Sequence, residues 1–153
     1  MEKIASFTVD HRYINEGIYI SRIDGDITTY DLRMRKPNTG DLMENSAIHS
    51  FEHMFATFVR NSDIKDDIIY AGPMGCQTGF YLLVRDADDE KVIDLVKKVL
   101  SDILSFEGEI FGKSEIECGN YKNLSLSAAK EESKKYLDKI KDITKENLVY
   151  PKE

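Results

Sequence analysis

At 153 residues, with 41% hydrophobic and 32% charged side chains and a net charge of −7, the sequence reads as one globular domain, residues 1–153, able to bury about two-thirds of its unfolded surface without disulfide staples. The acidic balance argues against a nucleic-acid partner, which would call for a basic face, and no apolar run approaches the ~20 residues of a membrane span. The first ten residues lack a basic stretch followed by an apolar core, so no secretory signal is visible and the cytoplasm is the expected compartment; there, Cys76 and Cys118 are read as ligand, catalyst or core rather than as a bridge.

In chain order, residues 18–23 and 27–34 are β-rich runs flanking Asp24-Gly25-Asp26, the signal of a hairpin. A helix follows around residues 47–58, where Ala47, Ile48, Phe51, Phe55 and Phe58 recur at the spacing of a buried stripe. Asn45 or Ser46 is expected to cap its first turn, and Asn61-Ser62-Asp63 to end it. Residues 67–70 and 79–84 are two further strand candidates, bracketing the turn-rich Gly72-Pro73-Met74-Gly75-Cys76-Gln77-Thr78-Gly79. Asp86, Asp88, Asp89 and Glu90 supply a cap and an acidic first turn for a helix in which Val92, Val96, Val99 and Ile103 recur. A last helix begins near Ser127 and runs through Ala128, Ala129, Tyr136, Leu137 and Ile140. Its Lys-rich stretch, interleaved with Glu131, Glu132, Asp138 and Asp142, reads as a solvated face. Strands and helices mix without regular βαβ alternation, which predicts an α+β fold with a largely antiparallel sheet.

The chemistry concentrates in His49-Ser50-Phe51-Glu52-His53. Two of the three histidines lie four residues apart, so on a helix both imidazoles share one face and can reach one divalent metal, with Glu52 beside them. A pair of helix histidines, one hydrogen-bonded and one exposed, is the bland alternative, and a third ligand has to decide. Cys118, in Cys118-Gly119-Asn120-Tyr121, can be that ligand: two imidazoles and one thiolate leave a fourth tetrahedral position open, as catalytic sites do. Cys76 is the spare side chain for a closed, structural site. Its glycine-rich surroundings equally suit a thiol that approaches a substrate, and burial as an inert core residue is the third option.

Four segments, in order and spread over residues 6 to about 126, resemble one family: LuxS, the S-ribosylhomocysteine lyases. His49-Ser50-Phe51-Glu52-His53 resembles its H-T-x-E-H motif, and Pro73-Met74-Gly75-Cys76 with Thr78-Gly79-Phe80-Tyr81 resembles its P-M-G-C-x-T-G-F-Y segment. Glu117-Cys118-Gly119 resembles the late x-C-G ligand motif, and Ser6-Phe7 with Asp10-His11 the S-F-x-x-D-H opening. Gln77 stands where the family commonly has Arg, and Tyr70 where an acidic residue is common.

The resemblance implies a four-stranded sheet packed with about four helices, LuxS/metallohydrolase-like. It also implies His49, His53 and Cys118 as ligands of one divalent metal per subunit, Fe²⁺ with Zn²⁺ or Co²⁺ able to substitute. Glu52 and Cys76 become the acid and base pair, and Ser6, His11 and Arg33 the substrate contacts, reaching the site of the partner subunit in a homodimer. The reaction implied is cleavage of S-ribosylhomocysteine to homocysteine and dihydroxypentanedione, precursor of the autoinducer-2 quorum-sensing signal, within the methyl cycle. Two rivals remain: an inverted zincin peptidase, which shares H-x-x-E-H but takes a carboxylate as third ligand, and a non-enzymatic metal or thiol-switch module in which Cys76 completes the site or pairs with Cys118.

Overall fold

The computed structural model describes residues 1–152. Gly25, at φ +61°, takes the left-handed backbone that a two-residue hairpin turn requires at its first central position, and so closes β1 (Gly17–Asp24) against β2 (Ile27–Arg33). β2 pairs with β4 (Gly79–Arg85), and β4 with β3 (Ile68–Pro73), giving an antiparallel sheet of order β1-β2-β4-β3. Strand alternation sends Tyr30, Leu32, Phe80 and Leu82 into the core against three helices, all essentially fully buried. Asp31 and Arg33 fall on the opposite face, where Asp31 stands in register between Tyr19 and Tyr81.

The helices are α1 (Asn45–Val59), α2 (Asp89–Ser105) and α3 (Leu126–Ile140). The fold is α+β as the patterning and the resemblance imply, with three α-helices among the described residues where about four were expected. Five short 3₁₀ turns accompany them, two ahead of β1, two in connections and one after α3. In α1 the apolar stripe packs as read: Phe51 stacks on Phe55 with ring centroids 5.2 Å apart and meets Phe80 of β4 at 4.9 Å. α2 starts on the Asp88 carboxylate, which accepts from Lys91 N–H, and buries Val92, Val96, Val99 and Ile103. No described helix is long and apolar enough to cross a membrane.

Two local expectations are corrected. α1 begins at Asn45 after Glu44, with no side-chain cap; instead Asn45 Oδ1 accepts from Asn123 Nδ2 and Ser46 Oγ donates to the Asn123 carbonyl. A tertiary partner has won these side chains from the local backbone. On α3, Glu132 is not solvated: it is 5% exposed and accepts from Arg35 Nη2 at 2.7 Å. The residue sits one turn from Ala129 on the buried side of the helix, so its charge is matched by an arginine brought in from the segment after β2.

The same segment fixes the approach to Cys76. Met34 N–H and Arg35 N–H both donate to the Thr78 carbonyl, and a Cβ on Gly79 would lie 2.5 Å from the Leu32 carbonyl oxygen. Only glycine lets β2 and β4 meet this closely beside Thr78.

A candidate metal centre

His49 and His53 project from successive turns of α1, their ring centroids 4.6 Å apart and their planes at 88°. Each ring is held from behind. His49 Nδ1 faces Asn123 Oδ1 at 2.5 Å and His53 Nδ1 faces the Phe111 carbonyl at 2.8 Å. Both partners are acceptors, Asn123 being oriented by its own donation to Asn45, so each Nδ1 carries the proton and each Nε2 keeps a free lone pair. Gly112 makes the second contact possible: at φ +73° it lets the backbone pass under His53, where a Cβ would lie 2.8 Å from Nδ1.

Cys118 completes the group. Its Sγ is 3.2 Å from His49 Nε2 and accepts from the Asn120 N–H at 3.4 Å. One ligand atom from each of His49, His53 and Cys118 lies within 4.8 Å of the other two. Metal–ligand bonds of about 2.0–2.3 Å imply ligand separations of roughly 3–4 Å around a tetrahedral ion, so small adjustments bring the three donors onto one cation. Two neutral imidazoles and a thiolate fit a divalent borderline metal such as zinc or iron(II), and three protein donors leave a fourth place. Among the described residues this is the group of histidine, cysteine or carboxylate side chains positioned to hold an ion, and Cys76 is outside it.

Glu52 sits half-buried on α1, one residue before His53. Cys76 is exposed and free, its Sγ 2.9 Å from Thr78 Oγ1. Between them Gln77 adopts φ +66°, a left-handed conformation that sets the two side chains against each other. Gln77 also reaches across to Met43, two residues ahead of α1, donating from Nε2 to its carbonyl while the Gln77 carbonyl accepts from Met43 N–H. The Cys76 loop and the start of the histidine helix are therefore bound together.

Arg33 lies beneath that loop, 3% exposed. Nε and Nη2 donate to Asp31, and Nη1 donates to Thr78 Oγ1 at 2.9 Å. Burial alone would lower the guanidinium, but the Asp31 carboxylate more than offsets it and raises it further. Ser6 and His11 belong to two short turns near the N-terminus; His11 Nδ1 donates to the Val9 carbonyl, leaving Nε2 open. Asp10 caps the His11 turn through Arg12 N–H, and hydrogen bonding to the Arg12 side chain, then to its backbone, lowers its carboxyl to about 2.

The structure thus gathers His49, His53 and Cys118 at one point, and links Cys76 to Arg33 through Thr78. Of the supporting residues, Thr78 stood within the Pro73–Tyr81 motif without a role of its own, whereas Asn123 and Phe111 carried no sequence signal; Gly112, between Phe111 and Lys113, was the one hint beside them.

The family described as S-ribosylhomocysteinase (LuxS) matches residues 4–147. Among curated relatives, the S-ribosylhomocysteine lyase of Finegoldia magna is 48% identical over 156 residues, covering 99% of each chain. That of Borreliella burgdorferi is 47% identical over 99% of this chain and 100% of its own, and that of Clostridium beijerinckii 44% identical over 99% of both.

Proposed function

The chain belongs to the LuxS family of S-ribosylhomocysteinases, and from that membership we infer that it is an S-ribosylhomocysteine lyase, a carbon–sulfur lyase acting in a single catalytic domain. The observation that carries the reading is the convergence of His49, His53 and Cys118 with both imidazole Nε2 atoms free. A thiolate in the third position suits this chemistry and not the carboxylate-ligated peptidase alternative.

The thioether carbon–sulfur bond breaks only after the sugar carbonyl has migrated until the sulfur-bearing carbon is β to it, with an acidic C–H on the carbon between, and each migration removes a proton from a carbon next to a carbonyl and returns it to the neighbouring carbon. A divalent cation held by His49, His53 and Cys118 would supply Lewis-acid stabilisation of the developing oxyanion, worth several kcal/mol. Glu52 and Cys76 are the proposed proton carriers. Glu52 is held by the ligand helix, and Cys76 Sγ sits on an exposed loop backed by Thr78. In the last step a proton leaves carbon, the carbon–sulfur bond breaks, and homocysteine departs with dihydroxypentanedione left behind. No oxidant is required.

Ser6, His11 and Arg33 are the proposed substrate contacts, in a homodimer whose active sites lie between subunits; Arg33 offers only the small part of its surface that burial leaves open. Fe²⁺ is the proposed metal, with Zn²⁺ or Co²⁺ as substitutes, and oxygen sensitivity follows from it. The cytoplasm is the proposed compartment, and the product feeds autoinducer-2 formation and quorum sensing beside the methyl cycle.

The test is incubation of anaerobically purified, metal-loaded protein with S-ribosylhomocysteine while free thiol is titrated. Stoichiometric homocysteine release is expected. Intact substrate in the presence of bound metal would discard the assignment.

A further inference from the structure

Tyr150 lies beyond the family-matched residues 4–147, yet its hydroxyl donates to Asp31 Oδ2 at 2.6 Å on the outer face of the sheet. Burial first, then the Asp31 carboxylate, raise this phenol well above its ordinary range, so it stays a donor. The direction of each further hydrogen bond follows from the groups themselves. Asp31, 1% exposed, accepts from Tyr150 and from Arg33 Nε and Nη2. A guanidinium can only donate, so at Arg33 Nη1 the Thr78 hydroxyl oxygen must be the acceptor. Thr78, 3% exposed, then has its one hydroxyl proton to give, and Cys76 Sγ lies 2.9 Å away. Accepting from a cation polarises the hydroxyl and strengthens it as a donor.

We propose that Tyr150 is a positioning residue for Cys76, acting through Asp31, Arg33 and Thr78 so that the Thr78 hydroxyl proton is presented to the Cys76 sulfur. A hydroxyl aimed at sulfur gives a stronger hydrogen bond to a thiolate than to a thiol, whose sulfur is only a weak acceptor. Tyr150 has a separate anchor in its stacking on Tyr19, centroids 4.9 Å apart and planes at 19°. Removing its hydroxyl alone therefore leaves the packing in place. The inference deepens the proposed role of Cys76 in the lyase reaction and rests on it for its biological meaning, but the relay can be measured without substrate.

The experiment is alkylation of Cys76 by iodoacetamide at pH 7 in the full-length, metal-loaded chain, followed by mass spectrometry of the Cys76 peptide, for wild type, Tyr150→Phe, Thr78→Val and Thr78→Ser. Tyr150→Phe and Thr78→Val are expected to slow alkylation roughly three- to tenfold, the loss of one hydrogen bond, while Thr78→Ser stays near wild type and all four react alike in denaturant. An unchanged rate in Tyr150→Phe, or in a folded Thr78→Val, would overturn the relay, as would a Thr78→Ser variant slowed as much as Thr78→Val. Should Thr78→Val not fold, Tyr150→Phe against Thr78→Ser decides. A slowed Tyr150→Phe in a protein that releases no homocysteine would uphold the relay while rejecting the lyase reading, so the two failures are distinct.

Discussion

At the level of single residues, the candidate centre is a matter of which nitrogen carries a proton. Asn123 Oδ1 and the Phe111 carbonyl each claim an Nδ1–H, leaving both Nε2 atoms as the donors to an ion, that of His49 3.2 Å from Cys118 Sγ. Such orienting partners are worth about 10–100-fold in metal affinity, and Asn123→Ala should weaken metal binding by about that factor with little change in fold, as read by competition with a chromophoric chelator. Unchanged affinity would mean that α1 orients His49 by itself. The grouping of His49, His53 and Cys118 was legible in the sequence, because an i, i+4 histidine pair and a late cysteine in a motif are local patterns. Asn123 was not: it lies 74 residues from His49, and no spacing rule joins them. At Asp10, the Arg12 contact holds the carboxyl at about 2, below its ordinary 3.8. A lowered carboxyl stabilises the folded state above the unfolded value, and that contribution disappears as pH falls from 3.8 through about 2. An NMR titration should place its midpoint near 2 in the wild type and nearer 3.8 in Arg12→Ala; equal midpoints would mean that the turn's N–H groups, not the guanidinium, set it.

Among the elements, the instructive cases are those where a side chain serves a distant partner instead of its own helix. The hairpin, the α1 stripe and the Asp88 cap were readable because each depends on residues within a few positions. Asn45, Ser46 and Glu132 were misread because their partners, Asn123 and Arg35, arrive from other parts of the chain. Arg35 and Glu132 are both 7% exposed in their side chains and joined at 2.7 Å, fastening the segment after β2 to α3. Removing one member strands the other charge, at a cost of about 3–5 kcal/mol, whereas replacing both with apolar groups of similar volume is often near neutral. Glu132→Leu should therefore lower thermal stability sharply, and Arg35→Met with Glu132→Leu should recover most of the loss in denaturant melts. A double variant as unstable as the single one would show that Arg35 matters for its bond to Asp41 or the Met34 carbonyl and not for the buried pair.

Over the whole molecule, the sheet and helices bring two chemically different groups under one arrangement: a His–His–Cys cluster on α1 and the segment before α3, and a thiol on the β3–β4 loop. Gln77 fastens the second to the approach of the first through Met43. The Gln77 amide serves that connection. Family membership, the α+β class and the His49–His53–Cys118 grouping follow from motifs in the sequence, whereas the Arg33–Thr78–Cys76 linkage required strands β2 and β4 to be paired in register. On the proposed reading, His49, His53 and Cys118 hold the metal and Cys76 is left free to move protons. The most direct measurement is the metal content of anaerobically purified wild type, Cys118→Ala and Cys76→Ala. One equivalent per chain in the wild type and in a folded but inactive Cys76→Ala, with loss in Cys118→Ala, is the predicted result; loss of metal in Cys76→Ala, or retention in Cys118→Ala, would contradict it.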